Sequence, residues 1–158
     1  MSESTQGIEA LIENSNKLIE IFGYWPSFHD AEVIDLHLWR GDIEPEAGRY
    51  VFPVLTVKLH VWELTNAVNT EGFFVSRCHT LSTLRFHNVD EFRMEGFNHQ
   101  NAILGLYIVQ EERAQGPSPV FAVKFNAAFG MGALFFCSSI EVADAVPCST
   151  NGITGEVR

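Results

Sequence analysis

The chain has 158 residues and a formal net charge of −10, with 46% hydrophobic and 19% charged residues. That is enough chain for one core, too apolar for intrinsic disorder, and too acidic to favour a phosphate backbone or an anionic membrane surface. The imbalance is local: residues 1–46 hold ten carboxylates against Lys17 and Arg40, a net of −8, whereas residues 47–158 hold ten against eight basic residues, a net of −2.

From the N-terminus, Ile8, Leu11, Ile12, Ser15, Leu18, Ile19 and Phe22 recur at spacings of three and four, which predicts one amphipathic helix over residues 6–22. Ser4 or Thr5 can cap its start, and Gly23 stands where a left-handed C-cap is wanted. Glu9, Glu13, Lys17 and Glu20 take the polar face, with Glu13 and Lys17 in the favourable i, i+4 order. After the turn Tyr24-Trp25-Pro26 the period changes to two. Ile34, Leu36 and Leu38 then alternate with Val33, Asp35, His37 and Trp39, the pattern of a half-buried strand. A polar loop with Gly41, Asp42, Pro45 and Gly48 leads to a second strand, where Leu55, Val57, Leu59 and Val61 point one way and Thr56, Lys58, His60 and Trp62 the other. Pairing Asp35 with Lys58 also pairs Ile34 with Leu59, Leu36 with Val57 and Leu38 with Leu55. A slip of two residues satisfies the pattern almost as well.

Further strands are expected at 74–88 and 90–95, a turn at 97–101, an apolar run at 102–110, and a break at 116–119. Phe121, Val123 and Phe125 precede a turn near Gly130 and Gly132, and Leu134, Phe136, Ile140 and Val142 make one closing strand. Phe125, Phe129, Phe135 and Phe136 read as core. The fold expected is α+β, an N-terminal amphipathic helix packed on one face of a mainly antiparallel sheet of six to seven strands. Residues 1–146 form the single domain in this reading, and 147–158 a polar, frayed tail.

No apolar run approaches the roughly 20 residues of a bilayer span, and Ser2-Glu3-Ser4 lacks the features of a secretory leader. Cys78, Cys137 and Cys148 cannot all pair within one chain and have no zinc or redox spacing. They read as reduced thiols of a cytoplasmic protein that needs no metal or cofactor. Phosphate-binding loops, dinucleotide fingerprints and nucleophile elbows are absent, so no catalytic residue is assigned.

Two clusters remain. His29, Asp30, Asp35, His37 and His60 offer a metal or acid–base site in one reading, and a solvated strand face with a hydrogen-bonded turn in the other. Trp39 and Trp62 fall at outward strand positions. Beside carboxylates they suit a protein-binding patch, and a second layer or homodimer partner covering that face is the competing account. Asp42, Glu44 and Glu46 in the loop, with Asp35, create a field that attracts a basic partner.

Residues 23–33 read GYWPSFHDAEV, after an amphipathic segment and before an alternating strand. LRFHNV at 84–89, GFNHQN at 96–101 and FFCSSIEV at 135–142 follow. The chain resembles immunity protein family 50, bacterial proteins of polymorphic-toxin systems, from about residue 15 to 145. The resemblance implies a cytoplasmic protein that binds and neutralises a cognate toxin without catalysis. A basic, nucleic-acid-attacking toxin would explain the acidic first third. Trp25, Pro26, Phe28, His29, Asp30 and Glu32 match the family's sharpest segment, where a role in the fold is expected. The loop acids lie outside it and suit partner-specific contact.

Overall fold

The computed structural model describes residues 7–112 and 120–152. The expected caps Ser4 and Thr5, the break at 116–119 and the part of the expected 147–158 tail beyond residue 152 lie outside the described residues. Period-two alternation and short turns give ten strands there: β1 (Glu32–Trp39), β2 (Asp42–Glu44), β3 (Arg49–Val51), β4 (Val54–Val68), β5 (Phe74–His87), β6 (Asp90–Glu95), β7 (Ile103–Glu111), β8 (Val120–Ala127), β9 (Gly132–Cys137) and β10 (Ser139–Pro147). They form two antiparallel sheets, β1-β4-β5-β10 and β6-β9-β8-β7, and a small hairpin, β2-β3. Strand makes up 60% of the described residues and helix 10%, so sheet pairing dominates the architecture.

The first hairpin takes the Asp35–Lys58 register over most of its length: Leu36 pairs with Val57 and Leu38 with Leu55. A bulge corrects its start. Val33, not Ile34, lies opposite Leu59, so Val33 is buried and Ile34 is 44% exposed. The extra residue reverses which side chains point inward.

Inward side chains of the two sheets meet in one core. Phe86 of β5 stands edge-on to Phe135 of β9 with centroids 5.1 Å apart, and Phe125 of β8 lies 6.0 Å from Phe86. Phe125 and Phe135 are therefore core as expected, whereas Phe136 is only partly buried and Phe129 is 62% exposed in the turn before β9. The closing strand expected over 134–142 is two strands in different sheets. Phe135 and Cys137 point inward before Ser138, Ile140 and Val142 after it. The parity switches there because the chain crosses between layers. Ser138 N–H donates to His87 O at 2.9 Å, which holds the crossing against the matching one from β5 to β6.

The expected single helix is also divided. A 3-10 turn at Ile8–Leu11 gives way to extended residues, and α1 covers only Asn16–Phe22. Asn14 adopts φ +58°, and Glu13 pairs with the edge of β10: its N–H donates to Ile140 O and its carbonyl accepts from Val142 N–H, each at 2.9 Å. Satisfying that edge outweighs the weak propensity of a short helix. Lys17 accordingly donates to Ala143 O at 3.2 Å instead of supporting a helical pair with Glu13. Gly23 caps α1 as expected, at φ +84° with its N–H on Ile19 O. Leu18 and Phe22 are buried, and α1 packs on β10 and β5 at one margin of the sandwich. The second sheet, not the helix, covers the inner face.

Residues 25–33 and 101–103 close the opposite margin. Phe28 (φ +61°) is buried with Trp25 edge-on at 5.4 Å, and Asp30 (φ +65°) donates its N–H to Ile103 O at 2.9 Å. Glu32 bridges to Ala102. Asn101 is buried: its Oδ1 accepts from Asn98 and Met131 N–H, and its Nδ2 donates to Val33 O and Asn98 O.

Candidate functional site

The segment expected as a polar loop after β1 is the β2-β3 hairpin. Asp42 pairs with Val51, Ile43 with Tyr50 and Glu44 with Arg49, around a 3-10 turn at Pro45–Ala47. Gly41 at its base has φ +87°, and a Cβ there would lie 1.9 Å from Val51 O, so only glycine lets the strands come together. Asp42, Glu44 and Glu46 are exposed. So are Ile43, Tyr50, Val51 and Phe52, the last by 57%. Carboxylates thus surround apolar side chains that the core does not use. The apolar half of this surface was missed in the sequence, although Ile43 and Tyr50 inside a loop of acids and glycines were its signal.

Trp39 stands next to the hairpin, on the outer face of the β1-β4-β5-β10 sheet. With His37, Val51, Val54, Thr56, Arg85 and His87 it lines a groove of about 410 Å³. Behind the groove, Glu141 of β10 accepts from His87 Nε2 at 2.9 Å and Arg85 Nη1 at 3.2 Å. The His87 hydrogen bond, and then that of Arg85, hold this carboxyl below its ordinary pKa. Asp35 lies further along the same face, opposite Lys58.

Trp62 also points outward but belongs to the other end of β4. Eight residues separate it from Val54, the partner of Trp39, roughly 26 Å at about 3.3 Å per residue. The structure therefore does not bring the two tryptophans together. Trp62 instead borders a hollow of about 360 Å³ with Tyr24, Pro26, Phe28, His29 and Asp30. Its ring also stacks on His79 at 6.0 Å and 19°. His79 in turn bonds His60 (Nδ1 to Nε2, 2.9 Å) and Ser76 Oγ (2.8 Å). His60 is only 4% exposed on an outward position because Gly152 lies against its ring, while Cys148 N–H donates to His79 O. Burial, and then the neighbouring His79, lower the His60 pKa. Only the β4-β5 register makes these two histidines neighbours, so no sequence spacing announced them. Near Trp62, Glu63 accepts from Tyr24 Oη and from Arg77 Nε, which ties the turn after α1 to the long hairpin.

The metal or acid–base grouping weighed from sequence is dispersed. His29 pairs with Asp30 at 3.1 Å on an exposed turn, Asp35 and His37 lie on the outer face of β1, and His60 is engaged by His79. Among the described residues, no three histidine, cysteine, aspartate or glutamate side chains converge as a metal site. No helix there is long and apolar enough to cross a membrane. Cys78, Cys137 and Cys148 are free thiols, and burial raises the Cys137 pKa to about 12.

Comparison with known proteins gives one match. The family model described as immunity protein 50 matches residues 14–147. No curated protein and no solved structure matches the chain.

Proposed function

The chain belongs to the immunity protein 50 family, and from that premise we propose that it is a cytoplasmic protein that binds and neutralises a cognate toxin domain without catalysis. The toxin presents a basic surface. The β2-β3 hairpin with Trp39 and Asp35 receives it, because exposed apolar side chains lie there beside an excess of carboxylates: Asp42, Glu44 and Glu46 around Ile43, Tyr50 and Phe52, against Arg49 opposite Glu44. That coincidence carries the reading. Apolar anchors supply desolvation at the centre of an interface, while a charged rim accelerates encounter and rejects wrong partners. Trp62, held at the far end of β4 by His79, lies outside this contact. The motif residues Trp25, Pro26, Phe28, His29, Asp30 and Glu32 serve the fold in this reading, since they shape the margin where β1 meets β7 and include two left-handed residues.

The test is association of the purified protein with a candidate cognate toxin domain, alongside rescue of growth on co-expression. The triple variant Asp42→Asn, Glu44→Gln, Glu46→Gln is expected to slow association by roughly tenfold at low salt and to match the parent in high salt. Its dissociation rate should change little. An unchanged association rate at low salt overturns the electrostatic part of the proposal, and absence of any complex overturns the whole.

A further inference from the structure

The four edges of the two large sheets are not equally protected. Glu13 pairs along β10. The turn at Ile8–Leu11 packs on β7. β6 is short and reads Asp90-Glu91-Phe92-Arg93-Met94-Glu95, and charges of that kind discourage addition of another strand. β1 carries Asp35 and the bulge at Ile34, but among the described residues no paired segment or packed turn covers its outer edge beyond its start. Beyond the Glu32–Ala102 bridge, among the described residues, its outer edge has no strand partner from Ile34 to Trp39, and the segment contains neither lysine nor proline.

The inner face is uncovered at the same place. Leu38 lies opposite Leu55, which is 0% exposed, yet Leu38 itself is 42% exposed; Leu36, opposite the buried Val57, is only partly covered. A core that ends on half-bare leucines along an open backbone edge is the geometry of a sheet one strand short.

We propose that the toxin supplies that strand: an extended segment of about five or six residues adds to the free edge of β1. The proposal rests on the toxin-binding reading above and specifies its form. Alternate side chains of the segment would be apolar, packing on Leu36 and Leu38, and cationic, facing Asp35 and the acids of the neighbouring hairpin. Charge selects this occupant over a second copy of the chain. Two copies paired through β1 would bring together two sets of Asp42, Glu44 and Glu46, which outnumber Arg40 and Arg49 in each copy, whereas a basic segment complements them.

Hydrogen exchange of the full chain with and without that candidate toxin domain tests this. Amides within residues 34–39 are expected to slow by roughly tenfold or more in the complex, since new ladder hydrogen bonds would form there. Leu38→Lys is expected to weaken binding by about tenfold or more, because a lysine on the edge opposes strand addition. Leu134→Lys, at an exposed position on the other sheet, should bind as the parent does. A complex in which protection is confined to residues 42–51, with β1 amides exchanging as in the free protein, overturns strand addition and leaves toxin binding standing. Equal binding by Leu38→Lys overturns it too. Protection of β1 in the free protein that grows with its own concentration assigns the edge to a second copy and overturns the proposal. Failure to form any complex removes the toxin-binding reading and this one with it.

Discussion

His60 shows how one residue's surroundings change its chemistry. An alternating strand places it outward with Lys58 and Trp62, where a solvated imidazole is the natural expectation. In the structure His79 bonds it, Gly152 lies on its ring, and burial makes its charged form unfavourable. The unfolded chain titrates near the ordinary value of 6.5 and the folded chain below it, so acidification protonates the unfolded state first. Stability is therefore expected to fall as pH drops below about 6.5. Urea midpoints measured between pH 7.5 and 5.5 should decline more steeply for the parent than for His60→Gln, and parallel slopes would show that His60 is not responsible. Glu141 and Glu63 belong to a lower window. Their pKa values are lowered by hydrogen bonds from His87 and Tyr24, so what they contribute is present above about 4.5 and lost below their folded-state values.

At the scale of elements, Asn101 joins what chain order keeps apart. It ends the GFNHQN segment, and its side chain holds β1 through Val33 O, the preceding turn through Asn98, and the approach to β9 through Met131 N–H. Asn101→Leu would leave buried polar groups without partners at about 1–3 kcal/mol each. A loss of at least about 2 kcal/mol in denaturant unfolding is expected. A change under about 0.5 kcal/mol would mean that the margin finds other hydrogen bonds. The strands themselves were legible: β6 falls where its residues predicted, and the Leu55-Val57-Leu59-Val61 face of β4 is buried as its alternation required. The bulge at Ile34, the break at Asn14 and the β2-β3 hairpin were not. Each is decided by a backbone partner distant in sequence or by a left-handed residue, and neither leaves a trace in hydrophobic periodicity.

In the whole molecule the two sheets share one core, and the strand crossings at Asn88 and Ser138 join them covalently and by hydrogen bonds. Phe135 touches both layers, with Phe86 on one side and Phe125 and Phe92 on its own sheet. Phe135→Ala is expected to cost about 3–5 kcal/mol. The loss should appear as one shifted transition, with fluorescence and far-ultraviolet circular dichroism unfolding together. Two separated transitions would show that the sheets are independent. The acidic first third, by contrast, does not become one patch. α1 packs on β10 and β5, while Asp42, Glu44 and Glu46 follow the far end of β1, so the carboxylates are divided between opposite margins. From the sequence alone follow the acidic character, the predominance of antiparallel strands, the inward and outward faces of the first hairpin and the resemblance to an immunity family, because composition and side-chain alternation are local properties. The structure then selects the Asp35–Lys58 register over a two-residue slip. Only the tertiary structure decides that a second sheet covers the first, that the loop acids share a hairpin with exposed aromatic and aliphatic side chains, and that β1 keeps an open edge. Those features depend on which backbone groups find partners across long stretches of chain, and a periodic pattern records which side a residue faces but not what meets it there.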